Sequence, residues 1–199
     1  MCLCERVVAL VLLILLLPVT LFSAVLIWIL SGRTPLIAHR RVGRFGATLW
    51  MLKLRSMWDR GARGSFAGGA IEYIQDDRGP EHKLENDPRV PGKVPQFLRR
   101  HSIDELPQLW HVIQGEMSLV GPRPVTEREL RKYYGPHADE VLQVKPGLAG
   151  LWQISGRNRL TYDERCRLDL EFVRHRSVAM YFGILLRTVP EVLRGHNSW

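Results

Sequence analysis

Asp104 and Glu105 stand side by side in "RRHSIDELPQLWHVIQGEMSLVGPRPV" (Arg99–Val125), with Arg99 and Arg100 before them and Arg123 after. Two carboxylates among guanidiniums suit phosphate chemistry. Arginine offers paired planar donors to phosphate oxygens, while a carboxylate can hold a hard divalent cation or act as a nucleophile. Arg123 lies in "GPRP", between prolines that fix their own φ and restrict the residue before each. A guanidinium on so stiff a turn loses little entropy when it grips an anion. Two further turns, "KPGLAG" (Lys145–Gly150) and "SGRN" (Ser155–Asn158), set Lys145 and Arg157 beside glycines. Three cation-bearing turns and an acidic pair predict a diphosphate site with a carboxylate-bound Mg²⁺. No Walker A loop or GxGxxG is present, so the common nucleotide-binding loops are excluded.

The acidic pair also has a plainer reading. Ser102-x-x-Glu105 matches the capping box, in which hydroxyl and carboxylate satisfy free amides at a helix start. Thr126-x-x-Glu129 and Thr161-x-x-Glu164 match it too, so the pattern predicts three helix starts and is weak evidence of catalysis alone. The first copy is set apart by Pro107 within its opening turns, by the flanking arginines and by "GPRP". The second helix is expected to run through Tyr133-Tyr134 and stop at Gly135-Pro136. The third carries Tyr162, Cys166, Leu170 and Val173 on one face.

The elements that must position these residues are uneven along the chain. Residues 7–30, "VVALVLLILLLPVTLFSAVLIWIL", carry no charge; apart from Glu5 and Arg6, all 28 Lys+Arg and all 20 Asp+Glu lie beyond them. The run is long enough to cross a bilayer, and too long for a cleaved signal. Pro18, at its middle, should kink or break the helix. A bent helix can enter and leave by one face, and a kinked spanning helix is the alternative. The basic flank of Arg33, His39, Arg40, Arg41, Arg44, Lys53 and Arg55 places the following segment in the cytoplasm. "ATLWMLKLRSM" (Ala47–Met57) reads as a strand with Leu49, Met51 and Leu54 partly buried, after a turn near Gly43 and Gly46. Residues 59–95 read mostly as loop. Residues 178–186 are too short to span; they suit the bilayer surface or the core, with Pro190 interrupting the helix beyond them. Cys2, Cys4 and Cys166 supply neither a disulfide framework nor metal-ligand spacing.

"SIDELPQLWHVIQGEMSLVGPRP" together with "KPGLAGLWQISGRN" closely resembles the bacterial sugar transferase family, the monotopic phosphoglycosyl transferases. "RVG" (Arg41–Gly43), "KLRSM" (Lys53–Met57) and "NDPRV" (Asn86–Val90) match its other landmarks, in order along nearly the whole chain. The resemblance implies transfer of a sugar-1-phosphate from a UDP-sugar to undecaprenyl phosphate, with release of UMP. It implies Asp104 as nucleophile, Glu105 assisting Mg²⁺, and both carboxylates as metal candidates. Arg99 and Arg123 match phosphate-binding arginines, Lys53 matches a basic position, and Pro18 matches the break of a re-entrant helix. His111 stands where asparagine is usual and reads as a helix-packing side chain.

The expected architecture is α+β, mainly helical. A proline-broken re-entrant membrane helix fills residues 1–32, and a small cytoplasmic catalytic domain with surface-lying amphipathic helices fills 33–199. Localisation at the bacterial inner membrane is expected, with membrane lipids as partners. The rival reading is a catalytically inactive relative that binds lipid phosphate or assists assembly. Nucleic-acid binding through the net charge of +8 is disfavoured. The basic residues crowd a membrane segment and lack the interleaved aromatics of a single-strand platform.

Overall fold

Residues 2–58, 69–75, 90, 92–156 and 159–195 are described by a computed structural model of the chain. α1 (Cys2–Ser31) is one helix with Pro18 inside it, and its Leu3–Ser31 stretch is long and apolar enough to cross a membrane. The expected break is therefore absent as an interruption of the helix. Proline forfeits one donor and crowds one turn, a local cost that does not stop the apolar run on either side from staying helical. Near that point the Thr20 hydroxyl donates to the Leu16 carbonyl at 2.9 Å.

The least exposed residues of α1 form one stripe. Glu5, Ala9, Leu13, Leu16, Thr20, Ser23, Ile27 and Ser31 recur at steps of three and four, the spacing of one helix face. Ala9, Leu13 and Leu16 pack against the main core, while Ile27 joins Leu54, Trp58 and Leu98 in a second cluster. The helix thus touches the rest of the chain near both of its ends. Its other faces expose Leu10, Ile14, Leu15, Phe22 and Ile29.

β1 (Leu36–Val42), β2 (Thr48–Leu54) and β3 (Ile71–Ile74) form a sheet in the order β2-β1-β3. β1 runs antiparallel to β2 and parallel to β3. The expected strand after Ala47 is β2, with Leu49, Met51 and Leu54 fully buried. The turn before it places Phe45 at φ 58° and Gly46 at φ 78°. Residues 59–95 are not all loop, since β3 and the start of α2 (Lys93–Arg100) fall within them. Pairing with β1 fixes β3, and a four-residue strand has too little alternation to show in sequence. Residues 59–68, 76–89 and 91 lie outside the described set, and with them most of "NDPRV".

Two of the three capping boxes form. Thr126 caps α4 (Glu127–Glu129), which continues as a π-turn over Leu130–Tyr134, and Thr161 caps α7 (Tyr162–His175). The Ser102 box does not form. Ser102 adopts φ 54° without a side-chain cap, and Ile103–Gln108 is a 3-10 turn leading into α3 (Leu109–Gln114). Two local causes suffice. α2 ends at Arg100, so Ser102 is the hinge between two helical pieces. Pro107 lacks the N–H that an α-turn would send to Ile103.

The helix stops at Tyr134 as expected, with Gly135 at φ 47°, and a separate 3-10 turn then leads into α5 (Ala138–Val141). β4 (Ser118–Val120) and β5 (Gly147–Ala149) pair in parallel, and α6 (Leu151–Ile154) comes next. α8 (Val178–Arg194) runs through Pro190 without interruption. One side packs in the core, with Tyr181 and Ile184 buried, while Val178, Phe182, Leu186, Val189 and Leu193 form an exposed apolar stripe. α7 presents its expected apolar face to the core, with Cys166 and Val173 buried and Tyr162 and Leu170 partly so.

Candidate active site

The acidic pair sits on the 3-10 turn that follows α2, facing the end of β2. Lys53 Nζ lies 2.7 Å from Glu105 Oε1. Three residues on, the Ser56 hydroxyl donates to Asp104 Oδ2 at 3.2 Å, and Asp104 is only 8% exposed. One strand end therefore supplies a cation to one carboxylate and a hydroxyl to its neighbour. The turn itself is closed by the Glu105 N–H on the Ser102 carbonyl at 3.1 Å. The turn follows the left-handed Ser102, and its two adjacent acids meet Lys53 near the end of β2 and Ser56 just beyond it.

His111 braces this strand. Its Nε2 accepts the Leu52 N–H at 3.1 Å, and its Nδ1 lies 2.6 Å from Glu116 Oε2. Accepting at Nε2 places a proton on Nδ1, which donates to Glu116. His111 is buried, as a packing side chain would be, and in addition holds the residue next to Lys53. The opposite end of the turn rests on the cluster of Ile27, Leu54, Trp58 and Leu98, so α1 helps to fix the site.

The cation-bearing turns meet each other through backbone. The Gly121 N–H donates to the Ala149 carbonyl at 2.9 Å, and the Gly147 N–H donates to the Pro122 carbonyl at 2.8 Å. "GPRP" and "KPGLAG" are thereby zipped together by β4 and β5. The approach is close enough to require glycine. A Cβ on Gly147 would fall 2.0 Å from Gly121 N, and one on Gly121 would fall 2.6 Å from the Lys145 carbonyl oxygen.

Arg123 is anchored from behind. Asp169 Oδ2 accepts the Arg123 N–H at 3.3 Å and the Tyr134 hydroxyl at 2.8 Å. Complete burial pushes the Asp169 carboxyl up to about 7, against the opposing pull of Tyr134 and Arg123. The Arg123 guanidinium lies 5.6 Å from the Trp152 ring centroid.

Of the residues selected from sequence, Lys53 and Glu105 come into direct contact beside Asp104, and the turns of Arg123 and Lys145 join. Arg99 lies in the last turn of α2, half-buried, and its carbonyl accepts the Ser102 N–H at 3.1 Å. Arg157 lies outside the described residues. Ser56 and Asp169 were missed. Ser56 shares the "KLRSM" segment with Lys53, and Asp169 interrupts the apolar face of α7; both signals were present but weak.

Among the described residues no three His, Cys, Asp or Glu side chains converge as a cage. Mg²⁺ does not need one, since it is commonly held by one or two carboxylates together with substrate phosphates. The all-oxygen donor set of Asp104 and Glu105 fits that habit.

A family model described as "Bacterial sugar transferase" matches residues 2–195. The chain belongs to the bacterial sugar transferase family. An "Exopolysaccharide production protein ExoY" of Sinorhizobium fredii is 40% identical over 195 residues, covering 96% of this chain and 84% of its own length. A "UDP-galactose-lipid carrier transferase" of Erwinia amylovora is 40% identical over 187 residues, covering 88% of this chain but only 37% of that protein. A "UDP-glucose:undecaprenyl-phosphate glucose-1-phosphate transferase" of Caulobacter vibrioides is 36% identical over 191 residues, covering 92% and 65% respectively. Family members thus include proteins much longer than this chain. Residues 2–195, which the family model matches, include the acidic turn, β2 and the paired glycine turns.

Proposed function

We propose that the chain transfers a sugar-1-phosphate from a UDP-sugar to undecaprenyl phosphate, through a covalent intermediate on Asp104, and thereby initiates a surface-polysaccharide or related glycan. The observation that carries this reading is the contact set of the dyad: a buried Asp104 held by Ser56 beside a Glu105 paired with Lys53.

A carboxylate is a weak nucleophile unless the phosphorus it attacks is electrically neutralised. Lys53 stands at the dyad, and Arg99 and Arg123 are the further cations for the diphosphate oxygens. An Asp104 oxygen forms a bond to the phosphorus that bears the sugar. The bond from that phosphorus to the bridging oxygen breaks, and UMP leaves with the electron pair. An oxygen of undecaprenyl phosphate then attacks the same phosphorus, releases the Asp104 carboxylate and leaves the diphosphate-linked sugar on the lipid. Mg²⁺, held by Asp104 and Glu105, would neutralise phosphate charge when bound. Ser56 fixes the orientation of the Asp104 carboxylate, and His111 braces β2, which carries Lys53 and leads into Ser56.

The acceptor is a membrane lipid, so the site must lie at a bilayer surface. The exposed apolar faces of α1 and of α8 are the surfaces for lipid, and Glu5 of α1 accepts from Tyr181 of α8, tying them together. Glu5 also accepts from Ser118 at 2.5 Å. With about 1.5 Å of rise per residue, a straight crossing would carry Glu5 to the far side of a bilayer from Ile27. Both are instead attached to the catalytic body, which supports a helix whose two ends share the cytoplasmic face of the inner membrane.

UMP release from a panel of UDP-sugars, with undecaprenyl phosphate in nanodiscs, tests the reading and names the sugar. Wild-type protein should release UMP with at least one donor, and Asp104→Asn should not. Release by Asp104→Asn at the wild-type rate would sink the covalent route. Absence of release with every donor would favour the inactive relative.

A further inference from the structure

Arg165, on the second turn of α7, takes no part in the proposed reaction, yet it shares an aromatic ring with Arg123. Its guanidinium lies 5.2 Å from the Trp152 ring centroid, and that of Arg123 lies 5.6 Å from the same centroid. Stacking on an indole engages the plane of a guanidinium without using its N–H donors. In both arginines the Nε is buried and has no hydrogen-bond partner. Neither side chain forms an ion pair with a carboxylate among the described residues.

The neighbouring acids are engaged elsewhere. Asp169 takes the backbone N–H of Arg123 and the Tyr134 hydroxyl, while Glu129 takes the backbone N–H of Thr126. The second oxygen of each makes no bond to either guanidinium. Burial and the charge of Arg123 both hold Arg165 below the ordinary arginine range. Two like charges beside one ring, half-buried and without a direct ion pair, repel each other. An anion between them offsets that repulsion.

We propose that Arg123 and Arg165 form a two-cation clamp across Trp152 for a phosphoryl oxyanion, supplied by the diphosphate of the soluble donor or by the phosphate of the lipid acceptor. The clamp rests on the reading of Arg123 as a phosphate ligand. It adds Arg165 as a second ligand and Trp152 as the platform that keeps the two guanidiniums apart and oriented. Rigid turns support both sides: Arg123 is held by the zipped glycine turns, and Arg165 sits just past the capped start of α7.

The test uses the full chain in nanodiscs, with wild type, Arg165→Gln, Arg165→Lys and, as a charge-only control, the exposed Arg128→Gln. Equilibrium binding of UDP and of inorganic pyrophosphate is measured without turnover, followed by KM for the donor and for undecaprenyl phosphate. The thermal midpoint of each variant is recorded, and Arg165→Lys serves if Arg165→Gln fails to fold. If the donor is the source, Arg165→Gln weakens UDP and pyrophosphate about tenfold or more, raises the donor KM and leaves the lipid KM unchanged. If the lipid is the source, only the lipid KM rises. Arg165→Lys should recover affinity in part, because it keeps the charge without the planar fork. Either pattern supports the clamp. Affinities and both KM values within twofold of wild type would overturn it, as would a loss no larger than that of Arg128→Gln. Arg165-dependent UDP binding in a protein that transfers no sugar would sink the transferase reading and leave the clamp standing. Transfer indifferent to Arg165 would do the reverse.

Discussion

Lys53 Nζ and Glu105 Oε1 are 2.7 Å apart, although their residues are separated by 52 positions in the chain. The ammonium is therefore fixed at the edge of the acidic pair, where phosphate charge must be balanced. Lys53→Ala is expected to lower kcat for UMP release by roughly 10²–10³-fold, the usual effect of deleting one charge-stabilising donor. Lys53→Arg should recover part of that loss. A purely structural ion pair would instead show up in the melting temperature with kcat unchanged.

The Ser56 hydroxyl is a buried partner of Asp104. Ser56→Ala leaves a carboxylate oxygen short of one hydrogen bond, and about tenfold should be lost from kcat. Ser56→Thr keeps the hydroxyl and should stay closer to wild type. Single-turnover UMP release reads this step directly.

Gly147 and Gly121 approach through backbone alone. Gly147→Ala forces the two turns apart and should destabilise the fold by about 1–3 kcal/mol or more, as overpacking generally does. Chemical denaturation measures the loss. The same variant should weaken UDP binding, since the turn that carries Arg123 shifts with it.

Asp169 is completely buried, with its carboxyl pushed up to about 7. The folded protein therefore keeps a proton that the unfolded chain releases near pH 4, so this group favours the fold in acid. Its contribution is lost as pH rises from about 4 to about 7, a change on the order of a few kcal/mol. Asp169→Asn cannot titrate and should flatten that part of the stability profile. A wild-type profile with no Asp169-dependent fall in this window would contradict the assignment.

Cys4 is exposed in the first turns of α1, beside Glu5 and Arg6, which bond to the catalytic body. In intact cells an impermeant thiol reagent should leave Cys4 unmodified until the membrane is opened. Labelling of Cys4 before permeabilisation would show that α1 crosses the bilayer.

The sequence by itself determined the features that depend on neighbours within a few positions. The apolar run before the first dense charges made α1, the hydroxyl-x-x-Glu pairs of Thr126 and Thr161 made their caps, and the residues flanking Asp104-Glu105 singled that pair out as the candidate site. Each is a matter of local hydrogen bonding or of transfer from water, so residue type and spacing suffice. The failure at Ser102 is informative for the same reason. Its spacing was right, but the end of α2 and the place of Pro107 left no α-turn to cap. Tertiary structure alone decided that Ser56 and Lys53 meet the dyad, that Asp169 stands behind Arg123, and that Arg165 shares Trp152 with it. It also decided that Pro18 leaves α1 helical and that the helix lies against the body near both ends. Those contacts join residues far apart in the chain, and packing brings them together only after the strands, turns and helices have chosen their partners.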